Sequence, residues 1–145
     1  MEFSEFYDIF EEQKRKRQIY FSLPKDKEAS IEDISKVENE LGVVLPSQYK
    51  DFVQYFGGGY CGLTKVYSCD PTGDFYILNH VTKNNVDRIC FLPIIDLETG
   101  DMLGFKVSDG ICSTDTYILS HDRNYSLETD CEDFFLTILK HSFLF

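Results

Sequence analysis

No stretch of the chain approaches the 18 consecutive apolar residues that a membrane-spanning helix requires. The opening residues MEFSEFYDIFEE are acidic, where a secretory leader is basic and then apolar. A soluble, cytoplasmic protein is therefore expected. Basic residues are scarce: 14 Lys and Arg stand against 25 Asp and Glu, a formal net charge of −11. That balance repels phosphate backbones and anionic membranes, so direct nucleic-acid and membrane binding are disfavoured, while a basic protein is attracted. The five cysteines (Cys61, Cys69, Cys90, Cys112, Cys131) are odd in number and lack a CxxC pair, which argues against a disulfide framework or zinc knuckle. They read as reduced, mostly buried thiols. His80, His121 and His141 make no HExxH motif, and Asp70 and Asp74 flank a turn without the EF-hand ligand pattern. No metal and no cofactor are expected.

What is present is a core. The 145 residues are 43% hydrophobic, with 13 Phe and 9 Tyr, which suits one globular domain over 1–145. Phe3, Phe6, Tyr7 and Phe10 recur at i, i+3, i+4 and i+7, the spacing of one helical face. Acids open that helix and Lys14, Arg15, Lys16 and Arg17 close it, complementing the helix dipole, which accounts for the basic cluster without a nucleic-acid role. Ser22, Leu23 and Pro24 end this unit, and residues 1–29 read as an extra N-terminal helix and connector. Ser30 and Asp33 predict a capping box for a second helix whose Ile34, Val37 and Leu41 share a face, with Gly42 as its stop. Pro46 can start a third, with Tyr49, Phe52, Val53 and Phe56 inward, ending at Gly57.

From Thr64 the pattern changes to short β-prone runs: Thr64 to Cys69, Phe75 to Val81, Arg88 to Ile95, Leu103 to Val107 and Thr116 to Ser120. Turn residues separate them, and short connections imply antiparallel neighbours. Thr129 and Glu132 read as a second capping box before a closing helix with Cys131, Phe134, Phe135, Ile138 and Leu139 on one stripe. The expected class is α+β, with N-terminal and C-terminal helices packed on a mostly antiparallel sheet of about five to six strands.

Gly57, Gly59 and Gly62 satisfy GxGxxG, but they follow a helix and precede a strand. A phosphate needs the reverse order, so that helix N-terminal amides face it. The glycines read instead as a helix stop and a close backbone approach. Pairing Cys61 with His80 or His121 as nucleophile and base would require spatial proximity that spacing does not show, so no catalytic residues are expected. The acids, however, are uneven. Between Ile89 and Leu139 ten acids face Lys106 and Arg123, an excess of eight charges. Several fall in expected loops, where carboxylates either solvate the surface or meet a partner.

The run IEDISKVENELGVVLPSQYKDFVQYFGGG, then Phe91, Leu92 and Pro93, a late Tyr117 and the closing CEDFFLTIL, resembles the SUKH superfamily. These are immunity proteins related to the yeast cell-wall assembly regulators. The residues that carry the likeness are Ile34, Glu38, Leu41, Gly42, Leu45, Pro46, Tyr49, Phe52, the glycines from 57 to 59, Asp133 and Phe134. The resemblance implies helices on an antiparallel sheet and the binding of a cognate toxin domain, often a nuclease, which the immunity protein occludes. It brings no catalytic residues. An acidic inhibitor complements the basic surface that a nuclease offers to phosphate. The expected contact residues are Tyr60, Asp96, Glu98, Asp101, Asp115 and Asp122. The second reading is a regulatory scaffold like the cell-wall assembly regulators.

Overall fold

The computed structural model describes residues 1–124 and 126–143, and the helices nearest the two ends of the described chain meet through aromatic contacts. The stripe near the N-terminus forms α1 (Phe3–Lys16) and buries Phe6 and Phe10. The Phe6 ring stacks on Phe135 with centroids 4.4 Å apart, and Phe10 meets Phe56 at 4.3 Å. A 3-10 turn (Gln18–Phe21) leads to β1 (Lys25–Asp26). The second helix, α2 (Ile31–Leu41), carries the capping box: the Ser30 hydroxyl accepts from the Asp33 amide at 3.1 Å, and the Asp33 carboxylate accepts from the Ser30 amide at 3.0 Å. It stops at Gly42 in the left-handed conformation. After Pro46, α3 (Ser47–Phe56) sends Tyr49, Phe52 and Val53 inward.

The strands that follow are β2 (Gly58–Cys61), β3 (Thr64–Val66), β4 (Phe91–Asp96), β5 (Met102–Ser108), β6 (Ile111–Cys112), β7 (Tyr117–Ser120) and β8 (Ser126–Thr129). They pair antiparallel in the order β1-β2-β3-β4-β5-β7-β8, with β6 on the far end of β5. The class is α+β as expected, and the eight strands among the described residues exceed the five or six anticipated. Between β3 and β4 lies α4 (Lys83–Ile89), and α5 (Phe134–Phe143) closes the described chain. Among the described residues no helix is long and apolar enough to cross a membrane.

Three local expectations are corrected. Phe75 to Val81 is a turn with a 3-10 segment (Ile77–Asn79), because Tyr76, Ile77 and Val81 are buried by tertiary packing that overrides their strand preference. Residues 88 and 89 end α4 rather than begin a strand; Thr82 caps that helix by accepting the Asn85 amide at 3.3 Å. The cap of α5 is Asp133, whose carboxylate accepts the Leu136 amide at 2.9 Å, while Thr129 pairs with Tyr117 inside β8. The glycine run is itself a strand. A Cβ on Gly58 would sit 2.6 Å from the Ser68 Cβ, and one on Gly59 would sit 2.8 Å from the Lys25 Cα. Only residues without a side chain let the neighbouring segments approach this closely.

One face of the sheet is sealed. Val66, Ile95, Leu103 and Phe105 are fully or almost fully buried, and Phe105 lies 5.9 Å from Phe134 of α5 and 6.3 Å from Tyr49 of α3. Phe134 meets the Tyr49 ring edge-on at 5.5 Å. The other face is covered at one end only. There the segment between β3 and β4 crosses it, stacking His80 on Tyr67 at 4.8 Å and setting Val81, Val86 and Ile89 beside Phe91 and Pro93.

Candidate interaction surface

Antiparallel pairing places opposed residues on the same face. The register Tyr60↔Lys65↔Asp96↔Met102↔Leu119↔Leu127 therefore draws one row across the open end of the second face. A β-bulge between Pro93 and Ile95 shifts the register so that both Pro93 and Asp96 reach this face. Five of the six expected contact residues belong to the row or border it.

Lys65 organises one half. Its ammonium lies 3.4 Å from Asp96 Oδ2 and 3.3 Å from Glu98 Oε1. The Tyr60 hydroxyl donates to the same Glu98 oxygen at 3.0 Å, and the Tyr60 ring meets Phe75 edge-on at 5.6 Å. Burial works against the Lys65 charge, but Glu98 and Asp96 outweigh it and hold the ammonium protonated above its ordinary range. The bond to Glu98 pushes the Tyr60 phenol up. Glu98 stands at positive φ, its amide donating to Asp96 Oδ1 at 2.7 Å. The carboxylates are thus fixed by the strand ends rather than free on a loop.

The other half is built on His121. Its Nδ1 lies 2.6 Å from Asp101 Oδ1, its backbone amide donates to that oxygen at 3.0 Å, and its Nε2 lies 3.0 Å from Asp122 Oδ1. The bond to Asp101, with Asp122 adding to it, raises the imidazole pKa above its ordinary value. The ring also lies over Gly100, at φ +96, where a Cβ would come within 2.8 Å. This clasp ties the β4–β5 hairpin to the 3-10 turn (His121–Arg123) after β7.

Asp115 stands apart from the cluster. It precedes β7 while Asp122 follows it, a span of roughly 20 Å at the rise of a strand. Its carboxylate accepts the Tyr117 hydroxyl at 2.8 Å, and it borders a separate shallow cleft of about 950 Å³ with Asp130, Leu136, Leu139 and Lys140. Asp130 is committed elsewhere: burial opposes its charge, but His141 at 3.0 Å and Lys140 at 2.9 Å keep its pKa below the usual carboxylate range. Sequence reading passed over Lys65 and singled out His121 without its partners. Both act through cross-strand or cross-turn neighbours that only the register reveals.

The groups weighed for catalysis are differently placed. Burial pushes the Cys61, Cys69 and Cys112 thiols up to about 12, which suppresses the nucleophilic thiolate. His80 is stacked on Tyr67 and His121 is held by two carboxylates. Asp70, considered for calcium, accepts the Thr72 amide and hydroxyl and the Lys27 amide. The surface offers ordered carboxylates around an apolar floor, an arrangement suited to recognition.

The sequence profile of the family described as SMI1-KNR4 cell-wall (SUKH_6) matches residues 31–135, from α2 to the first turn of α5. No curated protein matches the chain at a significant level. The residues that carried the resemblance are chiefly structural: Ile34, Leu41, Leu45, Tyr49, Phe52 and Phe134 are buried, and the Glu38 carboxylate accepts the Leu45 amide at 2.8 Å. With the profile covering more than half of its length and the expected helices and antiparallel sheet in place, the chain belongs to the SUKH_6 branch of the SMI1-KNR4 cell-wall family.

Proposed function

We propose that the chain is a noncatalytic immunity protein that binds a cognate bacterial toxin domain, a basic nuclease, and neutralises it by covering its working surface. The observation that carries this reading is the half-open second face of the sheet, where Asp96, Glu98, Asp101 and Asp122 are held in place beside Tyr60 and an apolar floor. Preset carboxylates favour fast encounter with a cationic surface, and Tyr60 supplies an aromatic contact that is already oriented. Asp115 stands at the other end of β7, apart from this cluster but within the reach of a domain-sized partner. The family assignment is consistent with the reading. The protein is taken to act in the cytoplasm, where a nuclease must be met.

The test is growth rescue from the toxin domain encoded beside this gene, followed by titration of the purified pair from 50 to 500 mM salt. Rescue with binding that weakens as salt rises is the expected result. A folded protein that neither rescues nor binds overturns this assignment and moves the regulatory-scaffold reading ahead. Rescue with salt-independent binding retains neutralisation and overturns the acidic contact set.

A further inference from the structure

Beside the acidic row the second face sinks into a groove of about 500 Å³ between α4 and the strands. Its floor and walls are Phe91, Pro93, Leu119 and Leu127 from the sheet and Val86 and Ile89 from α4. The volume is that of a ligand-sized pocket. Ile89 is 40% exposed at its rim, and Leu119 and Leu127 are half-buried. A concave apolar surface with a few polar groups at its rim suits the side chains of another molecule.

The charges at the two ends of the groove say what kind of molecule. Leu119 pairs with Met102, which pairs with Asp96, so the acidic row lies at that end, with Asp101 next to Met102 and Asp122 beyond β7. At the other end Phe91 pairs with Lys106, and Arg88 lines the wall. Arg88 donates to Asn85 Oδ1 at 3.3 Å and has no carboxylate partner among the described residues; the Lys106 ammonium lies over the Tyr117 ring at 4.4 Å. Met102 and Lys106 are four residues apart on β5, roughly 13 Å along the strand. The groove is thus mainly apolar in the middle, with Asp101 and Asp122 beyond one end and, at the other, Arg88 and Lys106, whose two charges outnumber the Asp115 carboxylate that sits on the Tyr117 hydroxyl. A small apolar ligand would use the middle and ignore both ends. A peptide segment matches all three zones, and the polarity sets its direction.

We propose that this groove is the anchor socket of the neutralised toxin domain: it takes a surface segment with large apolar side chains, a basic residue toward Asp101 and Asp122, and an acidic residue toward Arg88 and Lys106. The inference rests on the toxin-binding reading and deepens it. Affinity then comes mainly from the socket, where desolvated anchors dominate, and the acidic row governs the association rate.

The experiment measures association and dissociation of the toxin domain encoded beside this gene with wild type and with Ile89→Asp, Ile89→Ala, Arg88→Glu and the pair Asp101→Asn with Asp122→Lys. Each variant is checked for fold by circular dichroism and for self-association by sedimentation. Ile89→Ala is the milder form should Ile89→Asp fail to fold. The socket predicts that Ile89→Asp raises Kd by about 30-fold or more, mostly through faster dissociation, the size of an interface hot spot. Arg88→Glu raises it about tenfold, and the Asp101 and Asp122 pair mainly slows association. Folded Ile89 and Arg88 variants that bind like wild type, while the acidic pair weakens binding, overturn the socket and leave the toxin reading standing. A wild type that binds no toxin overturns both. A wild-type dimer dispersed by Ile89→Asp without loss of toxin binding assigns the groove to a second copy and overturns the socket.

Discussion

Tyr49→Phe isolates a single oxygen at the centre of the molecule. Tyr49 is fully buried; its hydroxyl donates to the Tyr67 carbonyl at 2.6 Å and lies 3.9 Å from the Cys69 sulfur. The substitution keeps the ring, so the edge-on contact with Phe134 and the packing on Phe105 remain. What is lost is one hydrogen bond, net about 1 kcal/mol, plus the desolvation of a carbonyl deprived of that donor, about 1 kcal/mol more. The expected destabilisation is about 2 kcal/mol. For a chain of this length that corresponds to a Tm lowered by about 8 °C, read by calorimetry, with a lower urea midpoint and an unchanged m-value. Tyr49→Ala also removes the ring and costs about 3–5 kcal/mol, which orders the two variants. Burial raises the Tyr49 pKa well above its ordinary 10, so its contribution is complete below pH 10 and is lost as pH rises from there toward the folded value. Tyr49→Phe therefore also removes part of the alkaline loss of stability. A change below about 0.5 kcal/mol refutes the reasoning, because it means the carbonyl finds another donor without cost.

Other outcomes follow from the same geometry. His121 titrates above 6.5 by NMR, and Asp101→Asn returns it toward that value; since the folded pKa is raised, the clasp is complete below pH 6.5 and loosens as pH rises through the folded value. At pH 8 an alkylating reagent labels exposed Cys90 quickly and reaches Cys61, Cys69 and Cys112 only on unfolding, as followed by mass spectrometry. Phe6→Ala costs about 3–5 kcal/mol by denaturant titration, because the ring is fully buried and stacked on Phe135.

Elements whose signals are local were legible in the chain. The ends of α2 are written by Ser30, Asp33 and Gly42, and of the α1 stripe Phe6 and Phe10 are buried as read, while Phe3 is partly buried and Tyr7 stays exposed. Where several residues compete for one role, legibility fails. Thr129 and Asp133 both offer caps near α5, and the pairing of Thr129 with Tyr117 decides between them. In α4 only Val86 is buried among seven residues, too little to show a period. The candidate surface divides the same way. Asp96, Glu98 and Asp101 are visible as acids near turns, yet the 38 positions between Tyr60 and Glu98 conceal their hydrogen bond. The apolar groove was invisible because Phe91 and Leu127, on strands β4 and β8, line it together only once the sheet is assembled.

The packing of α1 against α5 bears on how the protein is made. Phe6 and Phe10 find Phe135 and Phe143 only across nearly the whole sequence, so these contacts carry high loop-closure entropy and form late. During synthesis the first helix leaves the ribosome long before its partner on α5 exists. Until α5 follows, a chain with α1, α2 and α3 already released displays Phe6, Phe10, Phe52 and Phe56 without their closing layer, a sticky intermediate of the kind chaperones hold. Completion of α5 is then the event that gives the nascent chain its closed aromatic core.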